Sequence, residues 1–350
     1  HARAQSGSSW SAEGNQAQAV FGYALAAAGD VNGDGLADVI VGARDFDGVD
    51  EESGAAYVYF GSDNGLPSSP SWFVPGYDAR GDFGTSVASA DVNGDGFSDV
   101  LVGAPGWSNE TGRVYLYLGS ANGPAATPAW SVAHGQMYEQ FGKSVAGAGD
   151  VNGDGYDDVI VGAPLCDHGS TDEGVAYLYL GGAGGLATNP SWTGEADRMK
   201  SQYGARVAGA GDVDGDGFDD VLVAASGWDG GEVDEGRVYL YRGSPSGLSS
   251  SASWSLESNQ SGAQMGSAIS GAGDVDADGF DDVLVGAARF DHPQADEGRV
   301  QLFSGSATGL STAASWSSYG PWYSLFGWSV ASAGFVNDDV FADIVIGARY

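Results

Sequence analysis

The chain has 350 residues and a formal net charge of −34, because 47 acidic side chains face only 13 basic ones. Nucleic acids and anionic membrane surfaces are bound through basic patches, so this charge argues against both as partners. Hydrophobic residues make up 42% of the chain, which is too many for a disordered acidic segment, and no apolar run is long enough to predict membrane insertion.

One sequence unit of about sixty residues recurs along the chain. In the third copy, a stretch of small residues (144–148) leads into an acidic loop (149–155). An apolar run (159–163), a variable polar loop and a segment of alternating aromatic and aliphatic residues (175–179) follow. Each copy opens with a bulky residue before a glycine, and the six openings are Phe21, Phe83, Phe141, Tyr203, Met265 and Phe326.

Each unit predicts four short strands, and no segment has helical periodicity. The first strand consists mainly of Ala, Gly and Ser, which is typical of propeller strands crowded around a shared axis. The second strand is apolar on both faces, as a strand between neighbouring sheets must be. We therefore predict an all-β propeller of six four-stranded blades. It would form a single domain over residues 1–350, with units that start near residues 21, 83, 141, 203, 265 and 326.

The two ends of the chain predict how the ring closes. Residues 1–20 match only the end of a unit, since Ser9-Trp10 corresponds to Ser71-Trp72, and residues 326–350 match only its beginning. We expect residues 1–20 to complete the last blade as its outer strand. The third strand has no copy after Tyr350, which predicts a natural chain longer by roughly twenty residues. A second chain could fill this gap, so a strand-exchanged oligomer is a further expectation.

A tryptophan stands at the same place in all six units. A row of aromatic side chains could stack on sugars, but a fixed position in the repeat favours packing between blades. These residues are Trp10, Trp72, Trp130, Trp192, Trp254 and Trp316.

The acidic loops carry the strongest chemical signal. The pattern Asp-x-(Asn/Asp)-x-Asp-Gly-x-x-Asp occurs intact five times. Calcium takes six to eight oxygen ligands, which the side chains at loop positions 1, 3, 5 and 9 and the carbonyl at position 7 can supply. We predict about five structural Ca²⁺ ions. The expected ligands are Asp30, Asn32, Asp34, Leu36 and Asp38; Asp91, Asn93, Asp95, Phe97 and Asp99; Asp150, Asn152, Asp154, Tyr156 and Asp158; Asp212, Asp214, Asp216, Phe218 and Asp220; and Asp274, Asp276, Asp278, Phe280 and Asp282.

Two other interpretations of these loops, as simple turns or as EF-hands, explain the pattern less well than the calcium sites described above. Asp, Asn and Gly are common in turns, but turn formation does not require carboxylates at positions 1, 5 and 9 in five copies. An EF-hand would close with Glu at position 12, where these loops have valine. The loops with Asp214 and Asp276 at position 3 should bind calcium more tightly than those with Asn. The sixth loop has Phe335 at position 1 and Val340 in place of glycine, so we expect it to bind no metal.

The Phe-Gly opening, the acidic loop and the Val-Gly-Ala-Pro endings (102–105 and 161–164) resemble the FG-GAP repeat of integrin α-subunit propellers and their bacterial relatives. The resemblance covers essentially the whole chain. It implies a calcium face and an opposite ligand-binding face, which is built from the loops between strands two and three and between blades. Calcium would be structural there, and no catalytic role is implied.

The variable loops carry aromatic residues beside acids, and the sixth unit adds Tyr319, Trp322 and Tyr323. These aromatic side chains suit contact with a ligand, and the alternative is that they only cap the blades. We therefore expect a calcium-stabilised extracellular module, secreted or on a cell surface, that binds a protein or carbohydrate ligand. Cys166 and His168 lie close in sequence, but nothing supplies a third catalytic partner, so no enzyme is predicted. The alternative is the propeller domain of a secreted carbohydrate-active or phospholipase-type enzyme.

Overall fold

The computed structural model describes residues 10–48, 50–337 and 339–349. Strands in these ranges follow one another in short antiparallel sheets. The first sheet contains β1 (Phe21–Gly29), β2 (Asp38–Ala43), β3 (Ala55–Tyr59) and β4 (Trp72–Pro75). The second contains β5 (Ser86–Ala90), β6 (Asp99–Ala104), β7 (Arg113–Tyr117) and β8 (Trp130–Val132), with a helical turn, α1 (Trp107–Glu110), between β6 and β7.

The remaining units repeat this arrangement. The third sheet contains β9 (Ser144–Gly149), β10 (Asp158–Ala163), β11 (Val175–Tyr179) and β12 (Trp192–Glu195). The fourth contains β13 (Tyr203–Gly211), β14 (Asp220–Ala225), β15 (Arg237–Tyr241) and β16 (Trp254–Glu257). The fifth contains β17 (Met265–Gly273), β18 (Asp282–Ala287), β19 (Arg299–Phe303) and β20 (Trp316–Tyr319), and β21 (Ser329–Gly334) pairs with β22 (Asp343–Gly347).

The prediction of an all-β propeller is confirmed, but the prediction of six four-stranded blades is wrong. The propeller has five blades, each a four-stranded sheet, and the sixth unit forms only the two-stranded sheet β21–β22. Among the described residues, β22 pairs with β21 alone and has no neighbour of the kind that β11 provides for β10. Residues 10–20 form no strand, and residues 1–9 of the predicted closing segment, including Ser9, lie outside the described residues.

The core lies between neighbouring sheets. Val159, Ile160 and Val161 of β10 are each 0% exposed, as expected for a strand that is apolar on both faces. The innermost strands β1, β5, β9, β13, β17 and β21 contact one another in that order. Small residues permit this approach: a Cβ on Gly147 of β9 would lie 2.6 Å from the carbonyl oxygen of Ser89 in β5.

The repeat tryptophans join consecutive units, as predicted. The indole N–H of Trp192 donates to the carbonyl of Ser249 at 3.0 Å, and its ring lies edge-on to Tyr241. The same pair of contacts occurs for Trp10, Trp72, Trp130 and Trp254. Trp316 is 40% exposed, and no third strand of a following unit lies against it among the described residues.

Candidate functional site

The acidic loops join the first and second strands of each blade. In an antiparallel meander these loops all lie at one end, and the loops between strands two and three lie at the other. The third loop is organised around Asp150, whose Oδ1 accepts the backbone N–H groups of Gly153 at 2.7 Å and Asp154 at 3.0 Å. Its Oδ2 accepts the N–H of Gly155 at 2.7 Å. The carboxylate at position 1 therefore shapes the loop around itself.

The aspartate at position 9 fastens the loop to its blade. In the third unit, Asp158 is 0% exposed and accepts the N–H groups of Val151 at 3.1 Å and Gly181 at 2.9 Å. The corresponding carboxylates of the other four units make the same pair of bonds, and these residues are Asp38, Asp99, Asp220 and Asp282. This side chain has a structural role in addition to any role as a ligand.

Burial also raises the pKa of the position 9 carboxyl groups, and nearby loop carboxylates raise it further. The pKa rises to about 7 for Asp158 and to about 6 for Asp282. Charges of one sign are thus crowded at these loops, and a cation there would relieve the repulsion.

In the last two intact loops, the structure brings three carboxylates together. One ligand oxygen from each residue of a group lies within 4.8 Å of the others, which suits a metal ion. The two groups are Asp212, Asp214 and Asp220, and Asp274, Asp276 and Asp282. In the first three loops Asn occupies position 3, and its side-chain amide donates to the position 5 carboxylate, as from Asn152 to Asp154 at 3.0 Å.

Sequence reasoning missed a cation beside the fourth loop. Arg242 Nη1 lies 2.7 Å from the Asp214 carboxylate, whose side chain is 5% exposed. A signal was present, because Arg242 stands where the other units have Phe60, Leu118, Leu180 and Ser304. Arg242 would compete with a metal ion for Asp214.

A second feature missed at the sequence level connects successive loops. Asp157 Oδ2 accepts the backbone N–H of Asp91 at 2.8 Å, so position 8 of one loop contacts position 1 of the preceding loop. Asp219 and Asp281 make the same contact with Asp150 and Asp212, at 2.8 and 3.0 Å. The sequence indicated this contact, because these three loops have aspartate at position 8 as well as at position 9.

The sixth loop retains only part of this arrangement. Asp343 Oδ2 accepts the N–H of Val336 at 2.9 Å, which reproduces the position 9 contact. Phe335 and Val340 are 61% and 69% exposed, and they replace the carboxylate and the glycine of the intact loops. Residue 338 lies outside the described residues. The expectation that this loop binds no metal stays a prediction.

At the opposite end, most loop aromatics pack on arginines. The guanidinium of Arg113 lies 3.9 Å from the ring centre of Trp107, and that of Arg299 lies 3.8 Å from Phe290. Trp322 and Tyr323 pack on each other with ring centres 4.8 Å apart, yet they are 61% and 51% exposed. This pair is available to a ligand.

Cys166 and His168 do not act together. Cys166 is 5% exposed, its Sγ donates to Gln136 Oε1 at 3.1 Å, and burial raises the pKa of the thiol to about 12. His168 Nδ1 contacts a carboxylate oxygen of Glu195 instead.

No helix in the described part of the chain is long and apolar enough to cross a membrane.

These features define a β-propeller with acidic loops at one end and variable loops at the other. The FG-GAP repeat family profile matches residues 21–59, 83–117, 141–179, 203–241 and 265–303. The chain therefore belongs to the FG-GAP repeat family.

Relatives of the chain are integrin α subunits. Integrin alpha-5 of Xenopus laevis is 32% identical over 251 residues, which cover 68% of this chain and 22% of that protein. Integrin alpha-V of Gallus gallus is 37% identical over 213 residues, which cover 58% of this chain and 20% of that protein. The chain thus spans about a fifth of the length of these relatives. The resemblance to integrin α propellers seen in the sequence is confirmed.

A solved structure shares the fold at low sequence identity. The crystal structure of BBS1N in complex with ARL6DN superimposes with a TM-score of 0.51 at 13% identity, covering 92% of this chain and 75% of that one. This likeness concerns the fold alone.

Proposed function

We propose that this propeller is a calcium-stabilised extracellular module that binds a protein or carbohydrate ligand through the loops opposite its acidic end. The observation that carries the proposal is the separation of the two ends. Carboxylates are crowded at one end, while the exposed pair Trp322 and Tyr323 lies at the other. A rigid scaffold of this kind leaves recognition to its loops. Similarity to integrin α subunits supports an adhesive role and agrees with the expectation that the chain is not an enzyme.

Calcium would occupy the five intact loops through the side chains at positions 1, 3, 5 and 9 and the carbonyl at position 7. Hard oxygen donors favour calcium over softer metals. The expectation of tighter binding applies to the loop with Asp276, since Arg242 already neutralises Asp214 in the other loop with Asp at position 3. Charge compensation by calcium would hold the blades in place at the acidic end.

Binding is tested with the calcium-loaded chain on a glycan array and a panel of immobilised extracellular-matrix proteins. We expect at least one ligand that is retained in calcium and lost in EGTA. The double variant Trp322→Ser, Tyr323→Ser should weaken binding at least about tenfold, as aromatic anchors commonly dominate an interface. Leu36→Ser is the control, because it removes an exposed apolar side chain at the acidic end and keeps the backbone carbonyl.

Equal weakening by both variants would contradict the assignment of the binding face. Hydrolysis or elimination of a polysaccharide or phospholipid by the chain would support the enzyme alternative instead. The strand-exchanged oligomer stays a prediction, which the molecular mass in solution would test.

A further inference from the structure

Three side chains that the acidic loops do not use converge at the variable-loop end of the third blade. His168 and Glu173 lie in the loop between β10 and β11, and Glu195 ends β12. One ligand atom from each lies within 4.8 Å of the other two. His168 Nδ1 contacts a Glu195 carboxylate oxygen. An imidazole and two carboxylates therefore face one small volume.

One oxygen of the Glu173 carboxylate is buried at this point without a hydrogen-bond partner among the described residues. This oxygen is Oε1, and the residue as a whole is 1% exposed. The corresponding residue of the fourth unit, Glu235, behaves differently. Its Oε1 accepts the backbone N–H groups of Gly230 at 2.7 Å and Gly231 at 2.8 Å. Loop capping thus accounts for Oε1 of Glu235, while its Oε2 is buried without a partner, as is Oε2 of Glu297 in the fifth unit. Glu173 differs because, among the described residues, no loop N–H donates to its carboxylate, and because His168 and Glu195 each offer a ligand atom beside it.

Glu195 also lacks the cation that its counterpart has. In the fourth unit, Arg237 of β15 lies opposite Glu257 of β16, and Nη1 contacts the carboxylate at 3.0 Å. In the third unit the residue opposite Glu195 is Val175. Two carboxylates are therefore brought together where the neighbouring blade has an arginine, and a bound cation would supply the missing positive charge.

We propose that His168, Glu173 and Glu195 form a transition-metal site, with Zn²⁺ as the ion that fits it best. An imidazole with two carboxylates suits zinc, whereas calcium takes oxygen ligands only. Three protein ligands leave a fourth position of the tetrahedral ion for water. The His168 side chain is 59% exposed, so an ion reaches the site from solvent. The site lies at the opposite end from the acidic loops and does not depend on calcium there.

The test is a titration of the chain with zinc in an isothermal titration calorimeter. The buffer contains millimolar calcium, which keeps the acidic loops occupied. Cobalt(II) is a second probe, because the intensity of its visible absorption distinguishes a tetrahedral site from an octahedral one. We expect one zinc ion per chain. The variants His168→Gln and Glu195→Gln should each weaken zinc binding at least about tenfold.

The matched control is His292→Gln, which changes the histidine at the corresponding position of the fifth unit. There Tyr319 replaces the second carboxylate and stacks on His292 with ring centres 3.9 Å apart. Zinc affinity should be unchanged in this variant. Absence of zinc binding by the wild type, or equal affinity in His168→Gln, would overturn the proposal. Thermal melts of each variant in calcium verify that it is folded.

Discussion

Substitution of two aspartates in the third acidic loop can distinguish the contribution of calcium binding from that of the hydrogen bonds that hold the loop. Asp154 is exposed, and its carboxylate accepts hydrogen bonds from within the loop, from the Tyr156 N–H at 3.1 Å and the Asn152 amide at 3.0 Å. Asp158 is 0% exposed and accepts two backbone N–H groups from Val151 and Gly181. Replacing each by alanine should therefore have different consequences.

Asp158→Ala leaves two N–H groups without a partner in a buried environment. Each unsatisfied group costs about 1–3 kcal/mol, so the free energy of unfolding should fall by roughly 2–6 kcal/mol in EGTA. In calcium the loss of a ligand adds to this cost. Typical net stability is only about 5–15 kcal/mol. Asp154→Ala should act mainly through the metal, because the two donors that it loses are exposed and can bond to water instead. For Kd of about 10⁻⁴–10⁻³ M, calcium at ~1 mM stabilises by roughly 0.4–1.4 kcal/mol per site, and this contribution vanishes in EGTA.

The assay is urea unfolding followed by tryptophan fluorescence, in 1 mM calcium chloride and in EGTA. The free energy of unfolding of the wild type should be higher in calcium than in EGTA, by about 2–7 kcal/mol if all five sites bind independently. Equal destabilisation by Asp154→Ala in both buffers would refute its role as a ligand. A loss for Asp158→Ala that appears only in calcium would refute the structural role of its two hydrogen bonds.

Two further predictions concern the core. Phe141 is 0% exposed, so Phe141→Ala should lower the free energy of unfolding by about 3–5 kcal/mol in urea titrations, whereas Phe73→Ala, at a residue 43% exposed, should cost clearly less. Because burial raises the pKa of Cys166 to about 12, the thiol should react with a disulfide reagent at pH 8 only after unfolding. Rapid labelling of the folded chain would contradict this.

Local features of this protein follow from the sequence alone. The apolar run after each acidic loop predicts a strand buried on both faces, and β10 is one, because periodicity and burial are properties of consecutive residues. The same holds for the membership of the FG-GAP repeat family, which rests on short motifs in repeated order. The packing of the tryptophans between units also follows, since a side chain at a fixed place in a repeat meets the same neighbour each time.

Contacts between distant segments were decided only by the tertiary structure. The number of blades depended on whether the beginning of the chain would add an outer strand to the sixth unit, and residues 10–20 form no strand. Arg242 meets Asp214, and His168 meets Glu195, only because successive strands of a blade bring side chains together across intervening residues. Glu173 and Glu235 occupy the same place in their repeats, yet the packing of their loops gives only one of them backbone donors. Repetition of sequence predicts equivalent positions, whereas the particular neighbours of each position determine its chemistry.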